Sequence, residues 1–397
     1  MNLVSIYLHI PFCQHRCAYC DFNTYAGLNH VIPNYVEALC LEIETVAKAA
    51  PVLYTVHTMY FGGGTPSLLP PVEMEKILNT LRRSFQVLPE AEITMEANPG
   101  TLKRRELGQF REAGVNRLSL GMQSVHPDEL RMLERQHDFF DVVQAINWAH
   151  QAGFENINLD LIFGLPDQSL ERWQRSLERA VTLSPTHLSL YSLTLEHGTP
   201  MDGWVKRGLL NQPDTDKAAD MYEWASEYLN ARGYYQYEIS NWAVDKGNHS
   251  LVCRHNLRYW RLEPYLGFGA GAHGFINGVH TVNVLSPMAY IQRSLKARQP
   301  RAEGKFPLSP MTLEASHLSK EDEMKEVMLM GLRLTDEGVS NLRFEERFGV
   351  SLKAAFGCVI SSLVEKGLLE WGGDKQDRLR LTQKGRLLGN LVFMEFV

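Results

Sequence analysis

Six short apolar runs in the first half of the sequence constrain the fold more than any other feature. They cover residues 4–9, 57–61, 93–98, 117–123, 157–163 and 187–193. The stretches between them are long enough for crossover helices, and residues 34–50 and 170–184 are amphipathic. Strands joined in this way lie parallel in one sheet. Because a closed eight-stranded barrel takes about 250 residues, we predict an α/β fold with an incomplete, TIM-like (β/α)6 barrel.

Polar side chains recur on one face of successive predicted strands. Side chains alternate between the two faces of a strand, and one face carries Thr94, Glu96, Ser119, Gly121, Gln123, Asn158 and Asp160. The opposite face is apolar and suits packing against helices. We therefore predict that the polar face lines the barrel interior, which holds ligands and water instead of a dry core.

The sequence pattern changes after Gly233, so we assign the barrel to residues 1–235. Residues 236–310 are rich in aromatic residues, glycine and histidine and have no clean periodicity. We predict that they are irregular and end in a linker, which is marked by Pro300, Pro307 and Pro310.

The last part of the chain, residues 311–397, has the pattern of a small helical domain. Ser319 is placed to cap a helix, and an apolar stripe at helical spacing follows in residues 352–364. Two short predicted strands near residues 368–371 and 378–381 complete a winged-helix-like unit. Basic and acidic residues nearly cancel here, so we predict a structural or docking domain and not a nucleic-acid-binding one.

Composition excludes several classes of protein. The 397 residues are 44% hydrophobic and 22% charged, as in ordinary globular proteins, and the net charge is −6. A chain without excess positive charge has no general attraction to nucleic acid or anionic lipid. No stretch approaches the roughly 20 apolar residues of a membrane span, and no signal peptide is evident, so we expect a cytoplasmic protein.

Three of the six cysteines are clustered. Cys13, Cys17 and Cys20 have C-x3-C-x2-C spacing just after the first predicted strand, which allows one loop to bring three thiols to one metal centre. Three ligands leave one iron of a four-iron cluster open to an external ligand. The alternative is a zinc site completed by His9 or His15. We expect the isolated Cys40 and Cys358 to be small core residues.

A glycine-rich segment, residues 62–66 with the sequence GGGTP, follows the second predicted strand. Without Cβ atoms its backbone can approach a ligand closely, and a free carbonyl can accept a hydrogen bond from an ammonium group. The alternative is a tight turn between strand and helix.

These motifs resemble those of the radical S-adenosylmethionine (SAM) superfamily, and the string from Tyr7 to Cys20 is similar to its coproporphyrinogen-oxidase-like branch. The resemblance implies that Cys13, Cys17 and Cys20 hold a 4Fe-4S cluster. It also implies that SAM is bound by Tyr7, Tyr19, Gly63, Gly64, Thr65, Glu96, Gln123, Arg135 and Asp160. For each polar residue alone, a helix cap or an interior polar network remains the alternative. Arg135 is predicted to lie in the helix that follows Gln123.

The branch includes oxygen-independent oxidases and haem chaperones. The oxidases carry a further cysteine two residues after the third, where this chain has Phe22, and an extension ahead of the first strand. Residues 255–260, HNLRYW, fit the HNxxYW motif of the chaperones. We therefore expect a haem chaperone, with an oxidase and a non-catalytic cluster-binding sensor as alternatives. Whether the protein is also an enzyme stays open. Its expected partners are haem and acceptor proteins of unknown identity, which include transiently membrane-associated ones.

A haem site needs apolar walls and an axial ligand to the iron. Tyr259, Trp260, Tyr265 and Phe268 are the candidate walls. His255, Cys253 and His273 are the candidate haem ligands, and His255 is the first choice because it lies in the HNxxYW motif. The alternative is that the aromatic residues only close the barrel and the histidines only bind backbone carbonyls.

Overall fold

The computed structural model describes residues 2–244, 251–297, 305–373 and 376–397. Tertiary contacts divide the chain into two compact units. The first unit contains Met1–Ala225 and Pro264–Ser316, and the second contains Ser226–Glu263 and His317–Val397.

Strands and helices alternate through most of the chain. Up to residue 260 the elements are β1 (Leu3–Ile10), β2 (Phe12–Cys13), β3 (Tyr25–Ala26), α1 (Ile32–Ala49), β4 (Thr55–Gly63), α2 (Pro71–Ser84), β5 (Gln86–Ala97), α3 (Arg104–Ala113), β6 (Arg117–Gln123), α4 (Pro127–Met132), α5 (Phe139–Gln151), β7 (Asn156–Phe163), α6 (Leu170–Thr182), β8 (His187–Ser192), α7 (Pro200–Lys206), α8 (Thr215–Asn230), β9 (Tyr234–Glu238), β10 (Asn241–Val244) and α9 (Arg254–Trp260). The remaining elements are β11 (Tyr265–Phe268), β12 (His273–Ile276), β13 (Val279–Asn283), α10 (Pro287–Ala297), β14 (Thr312–His317), α11 (Lys320–Gly331), β15 (Val339–Ser340), α12 (Asn341–Phe348), α13 (Leu352–Glu365), β16 (Leu369–Gly372), β17 (Arg378–Leu381), α14 (Gln383–Leu387) and α15 (Gly389–Met394).

The main sheet of the first unit runs in the order β14-β13-β12-β11-β1-β4-β5-β6-β7-β8. The six predicted strands are its neighbouring strands β1 and β4 to β8, and every pair of neighbours among them is parallel. No pairing among the described residues joins the two ends of this order. The predicted incomplete α/β barrel is therefore confirmed.

The two faces of these strands have the predicted character. Met95, Leu118 and Leu159 of the apolar face are fully buried. On the polar face, Ser119 donates a hydrogen bond to Asp160 (3.0 Å), and Asn158 Nδ2 donates to Ser119 Oγ (2.7 Å). Parallel register brings equivalent positions side by side, as it does for Glu96 and Ser119. The polar positions of these strands consequently share one face of the sheet.

The prediction that residues 236–310 are irregular is wrong. This segment contains β10 to β13 and the helices α9 and α10. Strand β11 adds to the barrel sheet parallel to β1, with Ser5 opposite Tyr265, and β12 and β13 continue the sheet antiparallel. Strands of four or five residues are too short to show periodicity, and β11 pairs with a strand more than 250 residues earlier in the chain.

The predicted linker is also wrong where the structure describes it. Pro307 and Pro310 lie in the first unit, and the next residue, Met311, is fully buried. The chain then forms β14 at the edge of the main sheet. Pro300 lies outside the described residues. The predicted boundaries of the barrel at residue 235 and of the C-terminal domain at residue 311 stay predictions.

The second unit contains the predicted winged-helix-like arrangement. Ser319 caps α11 by accepting from the Asp322 N–H, and α11, α12 and α13 pack with a small antiparallel sheet of order β15-β17-β16. Their shared core includes Phe344, Ile360 and Leu379. Cys358 lies on α13 and is exposed, so the prediction that it is a small core residue is wrong. Among the helices of the described residues, none combines the length and apolarity needed to span a bilayer.

Candidate cofactor site

The cysteine loop, residues 13–24, begins at the last residue of β2 and ends directly before β3, and these two strands form a small sheet of their own. Cys13 ends β2, and β2 and β3 pair in parallel, with the Tyr25 N–H bonded to the Pro11 carbonyl (2.7 Å). Within the loop the Cys20 N–H donates to the Cys17 carbonyl (3.2 Å). The backbone therefore closes the loop at its base and turns it tightly between the second and third cysteines.

Each of the three thiols has a nearby polar group. Thr65 Oγ1 donates to Cys13 Sγ (3.7 Å), and Arg135 Nη1 donates to Cys17 Sγ (3.5 Å). Burial raises the pKa of Cys13 and of Cys20, and the charge of the Cys17 thiolate raises both further.

No group of three or more His, Cys, Asp or Glu side chains in the described part of the chain is arranged to hold a metal ion. The assignment of the three cysteines as cluster ligands therefore stays a prediction. The two histidines of the zinc alternative have other partners. His9 Nε2 bonds the Asn23 carbonyl (2.9 Å), and His15 Nε2 lies 3.3 Å from Glu134.

The glycine-rich segment lies directly beside the cysteine loop. The Gly64 N–H donates to the Ile10 carbonyl (2.9 Å), and the Thr65 N–H donates to the Phe12 carbonyl (2.8 Å). Gly63 has φ +109°, and a Cβ there would lie 2.4 Å from Cε1 of the His9 ring. Both the conformation and the space therefore require glycine at this position.

Glu96 is held at the end of β5 with its carboxylate beside the glycine-rich segment. Its Oε1 accepts from the Tyr60 hydroxyl (2.8 Å) and its Oε2 from the Gly63 N–H (3.2 Å). Burial raises the pKa of Glu96 to about 7, and the charge of Asp160 contributes to the rise. The carboxylate thus changes its charge near neutral pH.

Asp160 is the centre of a hydrogen-bonded network on β6, β7 and β8. Its oxygens accept from Ser119 (3.0 Å) and from Asn158 Nδ2 (2.8 Å). Burial raises its pKa, whereas hydrogen bonds, including one from Ser189, oppose the rise. Asp160 therefore belongs to an interior polar network, and each carboxylate oxygen has lone pairs left for a ligand.

Arg135 connects several parts of the site. Its Nη2 donates to Asn98 Oδ1 (2.5 Å) and to the Gly121 carbonyl (2.7 Å). The buried Nε atom of Arg135 has no hydrogen-bond partner among the described residues. The prediction that Arg135 lies within a helix is wrong, because it follows α4 in the connection to α5. Gln123, at the end of β6, has φ +63° and its amide lies with Arg135 beside Gly121.

Asn98 is a site residue that the sequence analysis missed. Its Nδ2 donates to Thr65 Oγ1 (3.1 Å), and its Oδ1 accepts from Arg135, so it joins the glycine-rich segment to the arginine that bonds Cys17. The available signal was its position: it is a polar residue immediately after β5 and two residues beyond Glu96.

The two predicted tyrosines are at the same end of the barrel. Tyr7 lies beside His9 Nδ1 (3.0 Å). Since His9 Nε2 faces a carbonyl, which only accepts, Nε2 carries the proton and the Tyr7 hydroxyl donates to Nδ1. Burial raises the pKa of Tyr7, and the charge of Glu96 adds to this. Burial likewise raises the pKa of Tyr19, and the positive charge of Arg135 opposes this rise.

The three haem-ligand candidates belong to two different units. Cys253 and His255 belong to the second unit, are fully buried, and lie at the start of α9. His255 Nε2 is 2.9 Å from the Tyr259 hydroxyl. His273 belongs to the first unit, begins β12 and is exposed. The partial removal of its ring from water and the charge of His280 lower its pKa.

The proposed aromatic walls are divided in the same way. Tyr265 and Phe268 lie on β11 of the first unit, where Phe268 is buried with its ring 6.4 Å from that of Phe85. Phe268 is therefore a core residue in this structure. Trp260 belongs to the second unit, where the Arg333 guanidinium lies over its ring at 5.2 Å.

The donor set of the first unit fits the predicted cofactors. Three thiols in one loop are soft ligands of the kind that iron–sulfur clusters use. The buried Arg135 Nε, which has no partner among the described residues, and the carboxylates of Glu96 on β5 and Asp160 on β7 leave hydrogen-bonding capacity for a polar ligand. Gly63, Glu96 and Gln123 lie at or next to the carboxyl ends of β4, β5 and β6, and Asp160 lies within β7.

The chain is similar to proteins of known families. Residues 7–180 match the radical SAM superfamily, and residues 318–388 match the HemN C-terminal domain. A protein named heme chaperone HemW from Bacillus subtilis (strain 168) is 40% identical over 395 residues, which cover 99% of this chain and 99% of the relative. Another, from Escherichia coli (strain K12), is 39% identical over 317 residues, which cover 79% of each chain.

A solved structure has a similar fold. It is that of coproporphyrinogen III oxidase (HemN) from Escherichia coli, described as a radical SAM enzyme. The TM-score is 0.81 at 24% sequence identity, and the match covers 99% of this chain and 89% of that chain. At this identity the likeness establishes the common fold.

Proposed function

Because this chain belongs to the HemW haem-chaperone family of the radical SAM superfamily, we propose that it binds haem and delivers it to acceptor proteins. We also propose that it binds a 4Fe-4S cluster with SAM. The observation that carries the proposal is 40% identity to a haem chaperone over 99% of both chains. The acceptors, and any association of an acceptor with a membrane, stay predictions.

Cys13, Cys17 and Cys20 would hold the cluster. Gly63, Gly64 and Thr65 would receive the methionine end of SAM, Glu96 its ammonium group, and Asp160 its ribose hydroxyls; Tyr7, Tyr19, Gln123 and Arg135 would complete the pocket. When bound, the cluster and SAM supply one-electron reductive cleavage of a sulfonium carbon–sulfur bond.

The protein's own contribution is orientation. Tyr60 and the Gly63 N–H fix the Glu96 carboxylate from two sides. Asn98 holds Thr65 and Arg135, which in turn donate to Cys13 and Cys17. Donation to sulfur stabilises the thiolate form that metal binding requires.

The pKa of Glu96 predicts a pH dependence of SAM binding. Below pH 7 the carboxylate gains a proton and no longer attracts an ammonium group. We expect the affinity for SAM, measured by calorimetry, to fall on the order of 10-fold from pH 7 to pH 5.5. The α-amino group stays protonated throughout this range.

The matched control is Glu96→Gln, which keeps the shape and does not titrate. It should bind SAM more weakly than the unsubstituted protein and with little change over the same pH range. An equally steep pH dependence in Glu96→Gln would show that another group is responsible.

The haem-ligand candidates differ in accessibility. Ligation by His255 Nε2 requires the Tyr259 hydroxyl to move away from it, whereas His273 is an exposed residue. Comparison of His255→Ala, His273→Ala and Cys253→Ala by haem titration assigns the ligand. Loss of the shifted Soret band in one variant, with retained folding, identifies it.

The function is tested by two measurements on the reconstituted protein. We expect tight haem binding, seen as a shifted Soret band, and no decarboxylation of coproporphyrinogen III. Phe22, where the oxidases have a further cysteine, is 64% exposed and offers no thiol. Formation of protoporphyrinogen IX over many turnovers would establish an oxidase instead, and absence of haem affinity would contradict the chaperone proposal.

A further inference from the structure

Glu42 is a buried carboxylate in the first unit that is not among the predicted site residues. It lies on α1 and is 1% exposed. Its Oε1 accepts from Asn283 Nδ2 (2.8 Å) and Ser309 Oγ (2.7 Å). Its Oε2 accepts from the Gly269 N–H (2.9 Å) and the Tyr290 hydroxyl (2.5 Å). Four separate segments of the chain thus meet at one side chain.

Two of these bonds help to hold a second loop, residues 269–272, which we call the glycine loop. Glu42 binds the Gly269 N–H, and Asn283, itself held by Glu42, donates to the Gly269 carbonyl (3.0 Å). Gly269 has φ +102°, and a Cβ there would lie 2.5 Å from the His9 carbonyl oxygen. The glycine loop is therefore pressed against the backbone of β1.

The glycine loop contacts the cysteine loop through Asn23, which is three residues beyond Cys20. Asn23 Nδ2 donates to the carbonyls of Ala270 (3.1 Å) and Leu285 (3.0 Å). The Asn23 carbonyl accepts from His9 Nε2 (2.9 Å). A single connected set of hydrogen bonds consequently runs from Glu42 through Gly269 and Ala270 to the cysteine loop.

We propose that Glu42 is a positioning residue that, through the glycine loop and Asn23, holds the cysteine loop closed over the three thiols. The inference rests on the proposed function, because its consequence is that a cluster bound by the loop is protected from loss. A buried carboxylate with four donors is suited to this role, since each bond to a charged group is strong and the group is costly to leave unpaired.

The test is the rate at which a chelator removes iron from the reconstituted protein under anaerobic conditions. In Glu42→Gln one acceptor oxygen becomes an NH2 group, and either Gly269 or Asn283 then loses its acceptor. We expect iron to be lost on the order of 10-fold faster. Asn23→Ala should accelerate the loss similarly, and the double variant should add little, because both changes open the same loop.

Tyr290→Phe is the matched control. It removes one donor to Glu42 and leaves the carboxylate bonded to Gly269 and Asn283. We expect a lower melting temperature with an unchanged rate of iron loss. Equal rates in Glu42→Gln and the unsubstituted protein, or equal acceleration in Tyr290→Phe, would overturn the proposal. If Glu42→Gln does not fold, an unchanged rate in Asn23→Ala overturns it.

A second measurement separates this inference from the proposed cluster. In metal-free protein we expect faster alkylation of Cys17 and Cys20 in Glu42→Gln than in the unsubstituted protein or Tyr290→Phe. If the unsubstituted protein forms no cluster, the proposed cofactor is wrong and alkylation still decides the role of Glu42. Unchanged alkylation would show that Glu42 does not hold the loop.

Discussion

Cys17→Ser is expected to abolish the charge-transfer absorbance of the cluster after anaerobic reconstitution. A serine hydroxyl is not deprotonated at neutral pH and is a hard ligand, whereas iron–sulfur clusters require thiolates. Cys17 Sγ also accepts a hydrogen bond from Arg135 Nη1 (3.5 Å), and the substitution replaces the sulfur acceptor of this bond with oxygen. The measurement is the visible absorbance spectrum together with iron and sulfide content.

The controls are the cysteines outside the loop. Cys40 is buried on α1 and Cys358 is exposed on α13, and neither belongs to the cysteine loop. Cys40→Ser and Cys358→Ser should both retain the cluster spectrum. Stoichiometric zinc without iron in protein purified without oxygen would contradict the prediction and establish the zinc alternative.

Asp160→Asn is expected to weaken SAM binding on the order of 10- to 150-fold, as measured by calorimetry. This range corresponds to the loss of one hydrogen bond to a charged group, which contributes roughly 1.5 to 3 kcal/mol. The melting temperature should change little, because the amide keeps an oxygen for the Ser119 or Asn158 bond.

Ser189→Ala is the matched control for Asp160. It removes the hydroxyl that donates to Asn158 Oδ1 (3.1 Å) beside the carboxylate and leaves the charge in place. SAM affinity close to that of the unsubstituted protein is expected. If Asp160→Asn leaves the affinity unchanged and lowers the melting temperature strongly, Asp160 only stabilises the barrel interior.

Local sequence patterns were sufficient to predict the six parallel strands of the barrel, β1 and β4 to β8. The predicted strand at residues 117–123 has the same bounds as β6, and the polar alternation correctly placed Ser119, Asn158 and Asp160 on one face. Such patterns succeed because the alternation of polar and apolar residues within a single strand shows which of its faces is buried. Strand β5 is an exception, since it begins seven residues before the prediction, in a stretch that includes Pro89.

Partners that are distant in the chain could not be predicted in the same way. β11 looked irregular because its four residues are stabilised by pairing with β1 and not by their own periodicity. Asn98 became a site residue only when folding brought Thr65 and Arg135 to its two sides. The exposure of Cys358 and the burial of His255 also depend on what packs against them.

The sequence by itself determined the parallel α/β fold, the spacing of the three cysteines and the polar positions at the strand ends, because these follow from local periodicity and motif spacing. Tertiary structure alone decided that Glu42 bonds Gly269, Asn283, Tyr290 and Ser309. It also decided that Cys253 and His255 lie in a different unit from His273. The physical reason is that a buried polar group must form hydrogen bonds with the groups that the fold brings next to it. The order of residues along the chain does not show which groups these are.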